Sequence, residues 1–302
     1  MTSLHAARPT IYVILPAWNE AAVIHPTLLA LVYAMHASGE AYHAVLVDDG
    51  STDATIAEAE RAGADSGGRL VLTVLRHDTN RGLGAGLRTG IEWCLDRASA
   101  DDVLVTLDAD NTHPPAMIPA LVARVRAGCD VAIASRYAAG AEVHGVPGYR
   151  RFLSDGARVV FHHLYPIRGV QDYTCCFRAY RAPVLERARQ LYGDQLCTAR
   201  GFEAVMDLLL RLEPLDVRVE EIGFTLDYAG RVGASKMNVL RTIRSTVSLL
   251  LRRRWERLTR WRPEVIAARL AEMTPVAGAR VGAGSFADAR VEATPAPERK
   301  SA

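Results

Sequence analysis

Asp102 to Pro115 reads DVLVTLDADNTHPP. The apolar run Val103 to Leu107 has strand length and no alternation, as expected of a strand buried on both faces. It ends in two carboxylates, Asp108 and Asp110, flanking one alanine. Pro114 and Pro115 suit the first turn of a helix, which is expected to run to about Arg126. Similar short runs lie on either side: IYVIL (11–15), AVLVDD (44–49) and LVLTVLR (70–76) before it, DVAIAS (130–135) after it. Stretches of helical length separate them, and between Leu83 and Leu95 the residues Leu83, Leu87, Ile91, Cys94 and Leu95 share one helical face. This alternation predicts an α/β fold with a mostly parallel sheet flanked by helices.

In such sheets ligands bind beyond the carboxyl ends of the strands. Three strands end in polar clusters: PAWNE (Pro16 to Glu20), DDGSTD (Asp48 to Asp53) and DADNTHPP (Asp108 to Pro115). Ser51, Thr52 and Asp53 read equally well as helix caps. Asp108 and Asp110 do not, because a cap needs one carboxylate. Such a pair suits a hard divalent cation, Mg²⁺ or Mn²⁺, which completes its shell with substrate phosphate and water. The cation would neutralise charge on a departing diphosphate. The string GLGAG (82–86) carries leucine at position 87 where a dinucleotide fingerprint needs glycine, and it follows the third strand rather than the first.

The 302 residues are 49% hydrophobic, enough for a large core. Five cysteines, an odd number without paired C-x-x-C spacing, read as reduced thiols. The first ten residues lack a signal-like apolar stretch, and the longest uncharged apolar stretch near the C-terminus, Ser245 to Leu251, is too short to span a bilayer. The expectation is a cytoplasmic protein with peripheral membrane contact and no transmembrane helix. Residues 231–262 carry ten Lys and Arg against Glu256 alone. A helix over 237–260 puts Leu240, Ile243, Val247, Leu250, Leu251 and Leu258 on one side and arginines on the other. With Trp255 and Trp261 it suits an anionic membrane surface. A nucleic-acid role would need further basic patches, and the catalytic region offers none. The organisation read from the chain is an N-terminal extension (1–9), a catalytic domain (10–236) with a nucleotide-sugar half (10–135) and an acceptor half (136–236), the basic amphipathic helix (237–262), and a disordered tail (263–302).

Pro16, Trp18, Asn19 and Glu20, then VDDGSTD, NRGLGAGLRTGI (80–91) and the DAD with His113, Pro114 and Pro115 occur in the order typical of glycosyltransferase family 2, and the chain resembles that family over roughly residues 10–255. Ser135-Arg136-Tyr137, DYTCCFRAYR (172–181) and Ser235-Lys236-Met237 resemble its dolichol-phosphate mannosyltransferase branch. The resemblance implies a GT-A fold and an inverting transfer from a nucleotide-sugar, GDP-mannose before UDP-glucose, to a polyprenyl phosphate. It also implies that Pro16, Trp18, Glu20, Asp48 and Asp49 line the nucleotide pocket, with the Ala109 backbone near the sugar. Asp108 and Asp110 would hold the metal and diphosphate, and Thr112 takes the place of a third ligand. Arg136, Arg150 and Ser154 fall where similar enzymes bind the acceptor phosphate, and Arg231 and Lys236 where they close over the donor diphosphate. Cys175 and Cys176 stand where relatives commonly have Ser and Gly, which would narrow the acceptor pocket.

A phosphate acceptor is largely dianionic at neutral pH and needs no strong base. A hydroxyl acceptor would need one, for which Asp172 is the candidate, with capping of the turn at Thr174 as its alternative role. Transfer to a glycan or metabolite hydroxyl is therefore the rival enzyme reading. A catalytically silent membrane scaffold is the rival outside enzymes, disfavoured by the intact DAD.

Overall fold

The computed structural model describes residues 9–227, 239–273 and 289–292; the side chain of Arg150 lies outside the described set. Arg231 and Lys236 also fall outside it. In chain order the elements are β1 (Ile11–Ala17), α1 (Ile24–Ser38), β2 (Tyr42–Asp48), α2 (Thr55–Asp65), β3 (Leu72–His77), α3 (Leu83–Leu95) and β4 (Val103–Thr106). They continue with α4 (Ile118–Arg126), β5 (Val131–Ser135), β6 (Glu142–His144), α5 (Gly148–Leu164), β7 (Arg178–Arg181), α6 (Ala182–Tyr192) and α7 (Ala204–Leu212). The last are β8 (Val219–Gly223), β9 (Thr225–Asp227), α8 (Val239–Leu258), α9 (Pro263–Glu272) and β10 (Ala289–Glu292).

Eight strands form one sheet in the order β10-β3-β2-β1-β4-β7-β5-β8, and β6 with β9 makes a separate parallel ribbon. The run that opens with Asp102 is the central strand β4, its four residues all buried. Registers Ala17↔Asp48 and Ile14↔Thr106, with Leu107 N–H donating to Ile14 O at 3.0 Å, bring the carboxyl ends of β1, β2 and β4 side by side. Two strands break the parallel pattern: β7 runs antiparallel between β4 and β5, and β10 antiparallel along the edge of β3. The helix expected after Pro114 begins as a 3₁₀ turn, Pro115–Met117, and continues as α4.

Glycines of the NRGLGAGLRTGI segment are packing devices. A Cβ on Gly84 would sit 1.8 Å from Ala199 O, and one on Gly90 2.4 Å from Ile14 Cγ2. Helix α3 therefore lies directly against β1 and the 199–200 backbone, which explains the string that only mimics a dinucleotide fingerprint.

Three expectations for the C-terminal region are corrected. Residues 263–272 form helix α9, with Pro263 in its first turn and Ile266 buried, where a tail without regular pattern was expected. Trp261 is buried at 3% exposure, its ring 4.8 Å from Tyr192, so of the two tryptophans only Trp255 faces outward, at 63%. The arginines of α8 do not all lie on one solvated side either. Arg253 is buried and its Nε donates to Asp207 Oδ1 at 2.7 Å, while Leu240, Ile243, Val247, Leu251 and Leu258 are exposed. A buried guanidinium is tolerable only with a carboxylate partner, and Asp207, itself fully buried, supplies it. No helix among the described residues is long and apolar enough to cross a membrane.

Candidate active site

The turn after β1 is built by cross-bonding to the turn after β2. Ser51 Oγ accepts the Asn19 N–H at 2.9 Å, Thr55 Oγ1 the Glu20 N–H at 2.8 Å and Asp53 Oδ2 the Ala21 N–H at 3.2 Å. Asn19, at φ 55°, returns the contact by accepting the Thr52 N–H at 2.8 Å. The residues open to the capping reading thus hold two strand ends together. Trp18, 40% exposed, stands beside these turns.

Asp48 and Asp49 take different roles. Asp48 is fully buried; its Oδ2 accepts the Ser51 N–H at 3.3 Å, whereas its Oδ1 is buried with no hydrogen-bond partner. An orphaned carboxylate oxygen at a strand end calls for an N–H or O–H donor from a ligand. Asp49 is instead used up by the protein: Oδ1 meets His77 Nδ1 at 2.7 Å and the Arg81 N–H at 2.8 Å, and Oδ2 accepts the Gly82 N–H at 2.7 Å. Thr89 Oγ1 fixes the far side of the His77 ring at 3.0 Å. Asp49, expected to line the nucleotide pocket, thus ties the 80–82 loop to β2.

At the end of β4 the side chain of Ala109 is buried, and Asp108, 36% exposed, and Asp110, partly exposed, flank it. Asp110 Oδ1 accepts both the N–H (3.1 Å) and the hydroxyl (2.6 Å) of Thr112 across a turn whose Asn111 has φ 60°. Thr112, expected as a third metal ligand, thereby also orients Asp110. His113 lies behind the turn, its Nδ1 3.3 Å from the Asp108 N–H and its ring stacked 5.3 Å from Phe177. Among the described residues no group of three or more His, Cys, Asp or Glu converges as a metal site. Two hard, partly exposed carboxylates at a strand end fit a divalent cation that draws its remaining ligands from substrate and water.

Arg136, beyond β5, makes a bidentate pair with Asp172: Nε to Oδ2 at 2.8 Å and Nη2 to Oδ1 at 2.6 Å. Asp172 Oδ1 also accepts the N–H groups of Thr174 and Cys175, at 3.2 and 3.1 Å. Burial alone would raise the Asp172 pKa, but the charge and hydrogen bonds of Arg136 hold it below the ordinary carboxylate value. A fully buried, low-pKa carboxylate with its oxygens engaged is no proton acceptor. Of the two roles expected for Asp172, these bonds match the cap of the turn at Thr174 rather than the base, and they add that Asp172 fixes Arg136. Burial pushes the Cys175 thiol up to about 12 and the Cys176 thiol well above its ordinary value. Both are inert, and neither lines the cavities described next.

Two cavities meet at Arg136 and Ser154. The first, about 430 Å³, runs between α5 and α8, with walls that include Phe152, Val160, Phe202, Met206, Ile243 and Val247. The second, about 310 Å³, runs toward the β6–β9 ribbon and is lined by Arg151, Asp155, Arg158 and Tyr137. Sequence reasoning missed the second; its signal was the spacing 151, 154, 155, 158, which shares one helical face. Outside the cavities, α5 and α8 expose Tyr149, Val159, Leu164, Leu240, Leu251 and Trp255.

The glycosyl transferase family 2 profile matches residues 12–189. The chain is 34% identical to the polyprenol monophosphomannose synthase of Mycolicibacterium smegmatis, over 76% of this chain and 83% of that one. It is 31% identical to the undecaprenyl-phosphate mannosyltransferase of Micrococcus luteus, over 85% of this chain and 97% of that one. Its fold matches glucosyl-3-phosphoglycerate synthase of Mycobacterium tuberculosis, crystallised with Mn²⁺, UDP-glucose and phosphoglyceric acid, with a TM-score of 0.56 and 20% identity over 82% of this chain and 80% of that one. A GT-A sheet, paired carboxylates at the end of its central strand and these relatives agree: the chain is a glycosyltransferase and belongs to glycosyltransferase family 2, in the branch that resembles the polyprenyl-phosphate mannosyltransferases.

Proposed function

We propose that this chain transfers a hexose, with inversion, from a nucleotide-sugar to a polyprenyl phosphate at a cytoplasmic membrane face, with mannose from GDP-mannose as the leading donor and glucose from UDP-glucose second. The observation that carries the acceptor class is the cavity of about 430 Å³ between α5 and α8, apolar along its length and ending at Arg136 and Ser154. A polyprenyl phosphate has the same division, a long hydrocarbon chain and one anionic head. The names of the mycobacterial and micrococcal relatives, a polyprenol monophosphomannose synthase and an undecaprenyl-phosphate mannosyltransferase, support the same class.

On the donor side, Asp48 Oδ1 receives an N–H or O–H of the nucleoside, and Pro16, Trp18 and Glu20 wall the pocket. The Ala109 backbone faces the sugar. Asp108 and Asp110 would hold a Mg²⁺ or Mn²⁺ ion, which when bound neutralises the diphosphate leaving group. Thr112 and His113 keep those carboxylates in place. On the acceptor side, Asp172 uses Nε and Nη2 of Arg136, so the remaining edge of the guanidinium is presented in a fixed orientation. Ser154 offers a hydroxyl beside it, and Arg150 stands one helical turn earlier. Arg231 and Lys236 would close over the donor diphosphate. The acceptor phosphate attacks as a dianion, so the residues supply alignment and charge compensation rather than a base.

The test supplies radiolabelled GDP-mannose and UDP-glucose, with Mn²⁺, to the protein with long-chain polyprenyl phosphate or with soluble sugars. Label in a solvent-extractable product is expected, more from GDP-mannose. Label confined to water-soluble glycosides would overturn the lipid acceptor in favour of a hydroxyl, and no transfer from any donor would revive a silent scaffold.

A further inference from the structure

The proposed reaction uses Arg136 and Ser154 at the junction of the two cavities but not Arg151 and Arg158, which line the second. That cavity meets the first at Arg136, Val146, Ser154 and Leu226 but leads away from α7 and α8, toward Tyr137 and Val143 of β6. Arg151 and Arg158 reach it from one face of α5. The Arg158 guanidinium lies 4.7 Å from the centre of the Tyr137 ring, and the Tyr137 hydroxyl is hydrogen-bonded to Asp155. Stacking leaves the guanidinium edge available for oxygen acceptors. Asp172 answers the charge of Arg136, whereas among the described residues no carboxylate stands within ion-pair distance of Arg151 or Arg158. The cavity therefore carries net positive charge and donors in excess of acceptors.

On this basis we propose that the second cavity is an anion site for the phosphodiester of an anionic phospholipid headgroup, held by Arg151 and Arg158 and separate from the reacting phosphate. The choice of a lipid over a free phosphate comes from the neighbouring residues. Each arginine is followed by an exposed apolar side chain, Phe152 at 76% exposure and Val159 at 55%, one pair two turns along α5 from the other. That repeat suits a helix lying in the headgroup region, with apolar side chains entering the acyl layer and guanidiniums reaching back to phosphates. The inference rests on reading α5 and α8 as the face that meets the membrane. A headgroup bound here would hold the mouth of the acceptor cavity at the depth where a polyprenyl phosphate resides.

Flotation of the full chain with phosphatidylcholine vesicles, with and without phosphatidylglycerol, tests it. Arg151→Gln/Arg158→Gln is expected to weaken binding to phosphatidylglycerol vesicles roughly tenfold and to leave binding to pure phosphatidylcholine unchanged. Arg158→Lys is expected to retain most of the binding, because charge is kept. Transfer to farnesyl phosphate, a short acceptor that needs no vesicle, is expected to stay within about twofold. Arg244→Gln/Arg254→Gln on α8 removes equal charge; an equal loss of vesicle binding there would overturn the site in favour of diffuse attraction. A roughly tenfold rise in KM for farnesyl phosphate in the α5 variant would overturn its separateness from the acceptor site. Inorganic phosphate or glycerol phosphate raising the Tm of the unsubstituted chain but not of the variant, with vesicle binding unaltered, would overturn the lipid in favour of a free anion. If the unsubstituted chain transfers to no polyprenyl phosphate at all, it is the functional reading that fails, and the vesicle comparison still decides the site.

Discussion

The donor and acceptor sides of this cleft are built by opposite means. On the donor side, short turns after β1, β2 and β4 are pinned by side chains to backbone N–H groups, as Ser51, Thr55 and Asp53 pin residues 19–21 and Asp49 pins 81–82. Such a site is rigid before its ligand arrives, as charge stabilisation at a departing diphosphate requires. On the acceptor side, two helices separated by about a quarter of the chain enclose an apolar groove and leave large hydrophobic residues exposed. Arg136, locked by Asp172, has donor-side rigidity there. Polar recognition is fixed in advance, and apolar recognition is left to a surface completed by the hydrocarbon that fills it.

Substitutions can break this contrast. The largest effect is expected from Asp110→Asn, with transfer down about 10³-fold and Tm nearly unchanged, since the loss falls on charge stabilisation. Chelation with EDTA should abolish transfer equally, with recovery on adding Mn²⁺ or Mg²⁺. Asp172→Asn is expected to cost about 3–5 kcal/mol of stability, read by denaturant unfolding, because it strands the Arg136 charge. Its depressed native pKa means that the stabilisation is fully present above about pH 4 and is lost as pH falls through the lower native value; the variant should lack that acid limb. A base at this position would instead give loss of transfer at unchanged stability. Next comes Phe152→Ser, expected to raise KM for a long-chain acceptor roughly tenfold and to spare farnesyl phosphate and donor affinity. The smallest effect is expected from Thr112→Val, a few-fold weaker response to Mn²⁺ as one hydrogen bond of about 1 kcal/mol to Asp110 is removed.

The donor side was largely legible in the sequence because its signals are local: an apolar run, a polar strand end and a turn residue sit within a dozen positions. Where partners are distant the reading failed. The ties of Asp49 could not be read because His77, Arg81 and Gly82 lie 28 to 33 residues on. Arg253 looked solvated because Asp207 lies 46 residues back, and Asp172 looked like a base because Arg136 lies 36 residues before it. Strand β7, four residues long, carries no periodicity from which its antiparallel insertion could be read. Helix α9 was hidden by the composition around it, although Pro263 and Ile266 supply a start and an anchor.

Asp207 touches both sides at once. Its Oδ1 holds Arg253 of α8, and its Oδ2 accepts the N–H groups of Thr198 and Ala199, each at 3.0 Å. The carbonyls of Ala199 and Arg200 in turn close on Gly84 and Gly82 at the start of α3. In genetic terms position 207 is pleiotropic: one codon governs both the seating of the outward-facing helix and the footing of the donor loop. Variants there will score as defects of either site according to which substrate the assay limits, and suppressors of them should arise in two separate stretches of the chain.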